Sequence, residues 1–164
     1  MLVESARKKL VIIGIGNLLL SDEGVGVHVV SELKRFELPA YVEVYDGATL
    51  GLEILSLMEG ASKAIIVDAV RGGGKPGTIY RFNLRDFEYE TNVLRMTSMH
   101  HLDFATALKL GEGAYSLPEE VIVIGIEPSR IDVGLELSDE VRAAIPEVLK
   151  IILEEIHSFS KGQE

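Results

Sequence analysis

The chain contains no cysteine. That absence removes disulfide frameworks, thiolate nucleophiles and cysteine-based metal sites together, and it is compatible with a reduced compartment. Basic charge is also in short supply: 16 lysines and arginines stand against 26 aspartates and glutamates, for a formal net charge of -10. An acidic surface repels phosphate backbones and anionic lipid headgroups alike, so neither nucleic acid nor a membrane surface is expected as a partner. A sustained apolar run is missing near the start. MLVESARKKL is mixed and basic, and the stretch from Leu10 to Leu20 is broken by Gly14, Gly16 and Asn17. Neither a signal peptide nor a membrane span is read there, which makes the cytoplasm the expected location. No linker, internal repeat or low-complexity stretch divides the sequence. Its 164 residues suit one domain spanning 1–164, and a monomer is the expectation because no interface signature stands out.

What is present is apolar residues, at 47% of the total, enough to rule out a wholly disordered chain. Lys9 to Ile15 reads as a buried strand, stopped by Gly16-Asn17. Ser21 is placed to cap a helix from Asp22 to about Phe36, with Val25, Val29, Leu33 and Phe36 on one face. Tyr41 to Tyr45 forms a second strand, Leu50 to Met58 a short helix, and Lys63 to Val70 a third strand that is apolar through its centre. Thr78 to Asn83 alternates as an edge strand does, and an antiparallel one fits. Leu84 to Met99 shows no period, while His101 to Leu110 reads as helical. Glu120 to Ile126 is another buried strand. Ser138 is placed to cap a last helix reaching Phe159, with a stripe of Val141, Ile145, Val148, Ile152, Ile156 and Phe159 and a kink expected at Pro146. Continuous apolar strands alternating with helices imply an α/β fold in three layers: a mostly parallel, twisted sheet of about five strands flanked by helices.

In such sheets ligands bind at the carboxyl ends of the strands. Three side chains with metal-ligand chemistry follow strands here: Glu23, Asp68 and His100. Two carboxylates and an imidazole suit a divalent first-row metal such as nickel or zinc. Each has a plainer reading. Glu23 lies where a helix dipole favours any acid, as Asp22 beside it does. Asp68 interrupts an apolar strand, where a charge is costly without a partner, but a carboxylate there also caps a turn. His100 adjoins His101, and neighbours in sequence point in different directions, so the pair does not serve one metal together. Asp46 ends the second strand and either joins the site or makes a Asp-Gly turn. His28 and His157 read as packing or surface residues, and Glu127 as the exposed corner of a turn made rigid by Pro128. Ser98 precedes His100, yet there is no G-x-S-x-G elbow to make it a nucleophile. The glycines at 14 and 16 suggest a nucleotide loop, but Leu19 occupies the third glycine position of that fingerprint.

Taken together, GIGNLLLSDEGVGVHVV, DGATLGLEIL, IIVDAV, SMHHLDFATAL, GIEP and GLELSDEV resemble the hydrogenase maturation proteases in order and spacing over nearly the whole chain. The resemblance implies an endopeptidase that removes the C-terminal extension of a nickel-containing hydrogenase large-subunit precursor once nickel is in place. It implies that Glu23, Asp68 and His100 form the catalytic and metal-sensing site, that the nickel is carried by the precursor, and that no organic cofactor is used. His101 leaves the histidine ambiguous by one residue. The family's Asp-Gly-Gly-Thr is here Asp46-Gly47-Ala48-Thr49, with less backbone freedom at the alanine. Two other functions compete: a non-catalytic nickel-dependent docking module for hydrogenase assembly, and a nucleotide-binding α/β enzyme.

Overall fold

Successive residues of a strand point to opposite faces, and in the first strand, β1 (Leu10–Ile15), every residue is buried. Both faces of the sheet must therefore be covered. The computed structural model, which describes residues 8–48, 53–84 and 111–162, shows how. After β1 come a 3-10 turn (Ser21–Gly24), α1 (Val25–Leu33), β2 (Val42–Ala48), α2 (Glu53–Met58), β3 (Lys63–Ala69), β4 (Ile79–Asn83), β5 (Glu120–Ile126) and α3 (Asp139–Lys161). The five strands lie in the order β2-β1-β3-β5-β4. The first four of that order are mutually parallel, and β4 runs antiparallel to β5.

Strand alternation splits the core in two. Leu10, Ile12, Ile65, Val67, Ile122 and Ile124 face α1 and α3, against Val29, Leu33, Val141, Val148 and Ile152. Val11, Ile13, Ala64, Ile66, Val121 and Val123 face the other way, against Ile54, Leu55 and Met58 of α2. This is the three-layer α/β sandwich expected. Among the described residues no helix is long and apolar enough to cross a membrane.

Several local expectations give way. Ser21 does not cap a helix: its φ of 51° is left-handed, and it opens the 3-10 turn, with α1 starting only at Val25. An N-cap needs extended backbone and a side chain bonded to the first turn. Phe36 lies past the end of α1 and is 45% exposed, off the apolar face assigned to it. Ser138 holds the N-cap position of α3 but makes no side-chain cap bond, because its hydroxyl is engaged elsewhere. The last helix runs continuously through Pro146. Pro146 and Arg142, the residue whose carbonyl loses a helix bond to the proline, are both exposed. The helix expected at His101 to Leu110 falls outside the described residues.

At the amino-terminal rim of the strands a buried charge cluster ties the layers. The Lys63 ammonium is 2.6 Å from Glu155 and 3.3 Å from Glu120, and the Arg81 guanidinium also bonds Glu155. Burial pushes the Glu155 carboxyl up, but the bonds from Arg81 and Lys63 outweigh it and hold the group below the usual carboxylate range. Cavities of about 620 Å³, beside Lys63 and Phe159, and about 740 Å³, beside Phe36 and Leu153, also lie towards this end. The candidate site is at the other.

Candidate active site

Because β1, β3 and β5 are parallel, their carboxyl ends share one rim. Two of the three expected residues lie there. Glu23 sits in the 3-10 turn after β1 and is 3% exposed; Asp68 is near the end of β3 and also 3% exposed. The turn that carries Glu23 packs against β3, which carries Asp68. Asp68 Oδ1 accepts the Ala69 N–H at 2.8 Å. The third residue, His100, and its neighbours Ser98 and His101 lie outside the described residues. Among the described residues, no three histidine, aspartate or glutamate side chains form a group able to hold a metal ion.

Glycines set the position of Glu23. A Cβ on Gly16 would come within 1.9 Å of the Glu23 carbonyl oxygen, and the φ of Gly16 is +139°. A Cβ on Gly26 would lie 2.1 Å from the Val67 carbonyl oxygen and 2.5 Å from that of Ile15. The absent side chains let α1 settle directly on β1 and β3, which lowers the acid onto the rim. Gly14, which with Gly16 suggested a nucleotide loop, meets α1 in the same way: a Cβ on it would lie 2.2 Å from the Gly26 carbonyl oxygen.

The residue beside Glu23 has the larger structural role. Asp22 is fully buried. Its Oδ2 accepts the Ser129 N–H at 2.9 Å, the Arg130 N–H at 3.0 Å and the Ser138 hydroxyl at 2.8 Å, and its Oδ1 accepts the Ser138 N–H at 2.8 Å. Burial raises the Asp22 carboxyl, but the bonds from Arg130, Ser138 and Ser129 prevail and hold it below the ordinary aspartate range. The Leu20–Gly134 bridge extends the same junction: Ser21 N–H donates to the Gly134 carbonyl and Gly134 N–H to the Leu19 carbonyl, both at 2.8 Å. Sequence reasoning took Asp22 for a helix-dipole complement. The one signal available was an acid doublet, Asp22-Glu23, in which one member suffices for the dipole.

Glu127 also departs from expectation. It is no exposed corner but 7% exposed, and its Oε2 accepts the Gly72 N–H at 2.7 Å and the Tyr80 hydroxyl at 2.8 Å. It shapes the glycine-rich turn before β4. Burial and this carboxylate together raise the Tyr80 phenol. Asp46, by contrast, is exposed and does not end its strand: β2 continues to Ala48, whose N–H the Asp46 Oδ1 accepts at 2.8 Å where the register shifts. Ala48 follows with φ 43°, the conformation a glycine would hold without strain. His28 is half-buried against α3. Burial and the nearby Arg142 push its imidazole below the usual value, partly offset by Glu32.

The chain is similar to known proteins over most of its length. The family model for hydrogenase maturation protease matches residues 27–155. The hydrogenase 2 maturation protease of Escherichia coli is 34% identical over 147 residues, covering 88% of each chain. Among solved structures, the hydrogenase maturating endopeptidase HybD from E. coli superposes with a TM-score of 0.79 at 29% identity, over 92% of this chain and 93% of that one. A hydrogenase 2 maturation peptidase from a Thaumarchaeota archaeon does so with a TM-score of 0.70 at 33% identity, over 91% and 98%. With the sheet and these relatives in agreement, the chain belongs to the hydrogenase maturation protease family and is an endopeptidase.

Proposed function

We propose that this endopeptidase removes the C-terminal extension of a hydrogenase large-subunit precursor after nickel insertion, and that it reads the nickel already seated in that precursor. The carrying observation is the pair of nearly fully buried carboxylates, Glu23 and Asp68, on adjoining elements of one rim. His100 is the third ligand by family resemblance. Two carboxylates and a neutral imidazole are a donor set that suits nickel and that loses affinity as it is protonated.

In this reading the nickel belongs to the substrate, and no organic cofactor takes part. Glu23 and Asp68 orient the precursor so that its scissile peptide lies over the rim. One of the two takes the proton from an attacking water, and the same acid then returns it to the leaving amine. The enzyme works in the cytoplasm as a monomer, on a protein partner alone.

The test is to offer purified enzyme the nickel-loaded precursor and the empty one, and to follow loss of the extension by mass spectrometry. Cleavage of the loaded form only is expected, and Asp68→Asn should abolish it while unfolding stays cooperative. Equal processing of both forms would remove metal sensing. Full activity in Asp68→Asn would remove that residue from the site.

A further inference from the structure

Large apolar side chains are well buried in this molecule, and the exceptions are not scattered. Of the five exposed among the described residues, four are Leu18 (41%), Leu19 (61%), Val133 (90%) and Leu135 (67%). They occupy two loops only, the one after β1 and the one before α3, and these are the loops joined at the Leu20–Gly134 bridge. The first loop leads straight into Glu23, whose N–H donates to the Leu20 carbonyl at 3.2 Å. The patch and the candidate active site are therefore one continuous piece of the rim.

The patch is also held in shape. Asn17 Oδ1 accepts the Leu19 N–H at 2.9 Å, and Gly134 is bonded on both sides to the first loop. Asp22 fixes the far loop at Ser129, Arg130 and Ser138. Aliphatic groups fixed beforehand in water lose little entropy when a partner covers them.

We infer that Leu18, Leu19, Val133 and Leu135 form the docking surface for an apolar, extended stretch of the precursor polypeptide next to its metal centre. The inference rests on the endopeptidase reading above and adds the chemistry of substrate recognition. Continuity with Glu23 argues for the substrate as occupant, since a peptide laid across the carboxylates must pass over one flank of the rim. A second copy of the chain is the weaker occupant on two grounds. Two copies each carrying a formal charge of -10 repel, and four side chains fall well short of the roughly 800 Å² per partner of a stable interface.

The experiment compares the unmodified chain with the double variant V133S/L135S on nickel-loaded precursor over a range of concentrations. Both positions are exposed, so stability should change by no more than about 0.5 kcal/mol. KM should rise about tenfold, equivalent to about 1.4 kcal/mol of lost binding, with kcat held within about twofold. Phe36→Ser, an exposed apolar position at the opposite rim, should leave KM alone. An unchanged KM in the double variant overturns the inference, and so does a fall in kcat at constant KM. A dimer in sedimentation that the double variant dissociates assigns the patch to self-association and overturns it as well. Failure of the unmodified chain to cleave any precursor is a different outcome: it removes the precursor-processing function proposed above, and this inference falls with it.

Discussion

Substituting Asp22 by asparagine changes one atom and asks whether the junction at the rim depends on a charge. The carboxylate accepts four hydrogen bonds from three backbone N–H groups and one hydroxyl. An amide has a single acceptor oxygen. With that oxygen placed at Oδ2, its NH₂ faces the Ser138 N–H, so one buried donor is orphaned and three bonds lose their charge assistance. An unsatisfied buried donor costs about 1–3 kcal/mol, and the weakening of the others adds to it. We expect Asp22→Asn to lose roughly 2–4 kcal/mol at pH 7, a large share of the ~5–15 kcal/mol by which a domain is stable. In a chain of this size each kcal/mol moves Tm by about 2–4 °C, so a drop of about 4–16 °C is expected. The assay is urea unfolding followed by circular dichroism, repeated as pH is lowered. The folded Asp22 carboxyl sits below its unfolded value. Its contribution is therefore complete above the unfolded value of about 3.9 and is lost as pH falls through the folded one. The gap between the two proteins should shrink across that acid range. Equal stability at pH 7 within about 0.5 kcal/mol, or a gap that widens in acid, would refute the reasoning.

Two substitutions test the backbone. Gly26→Ala improves intrinsic helix propensity by about 1 kcal/mol, yet its Cβ would meet the Val67 and Ile15 carbonyls. A net loss of at least ~2 kcal/mol and reduced precursor cleavage are expected, because the helix lifts off the sheet and takes Glu23 with it; a gain in Tm would contradict the packing account. Ala48→Gly relieves a left-handed alanine and should raise stability in urea by about 0.5–1 kcal/mol after the added freedom of the unfolded chain is counted. A loss there would show that Ala48 is not strained.

The sheet was legible because its signals are local. Glu120 to Ile126 begins and ends in the structure where its apolar run does, and the spacing of Val141, Val148, Ile152 and Ile156 marks the buried stripe of α3. Thr78 to Asn83 alternates and is indeed an antiparallel edge strand. The site was legible in part. Asp68 stood out as a charge inside an apolar strand, and Glu23 by the family pattern. Asp22 did not stand out, because its partners are more than a hundred residues away and no window of sequence contains both. Glu127 was misread for the same reason: Tyr80, which makes a buried acid tolerable, is on another strand. Ser138 was misread as a side-chain cap because the Asp22 carboxylate takes its hydroxyl, and Ser21 because its backbone is left-handed; a cap pattern registers neither.

The bond from Asp22 to Ser138 joins residues 116 positions apart. A chain that stopped short of Ser129 would carry both rim acids and every strand of the described sheet, but none of the bonds that join the two rim loops. The two rim loops therefore come together as the segment after β5 folds back onto the turn after β1.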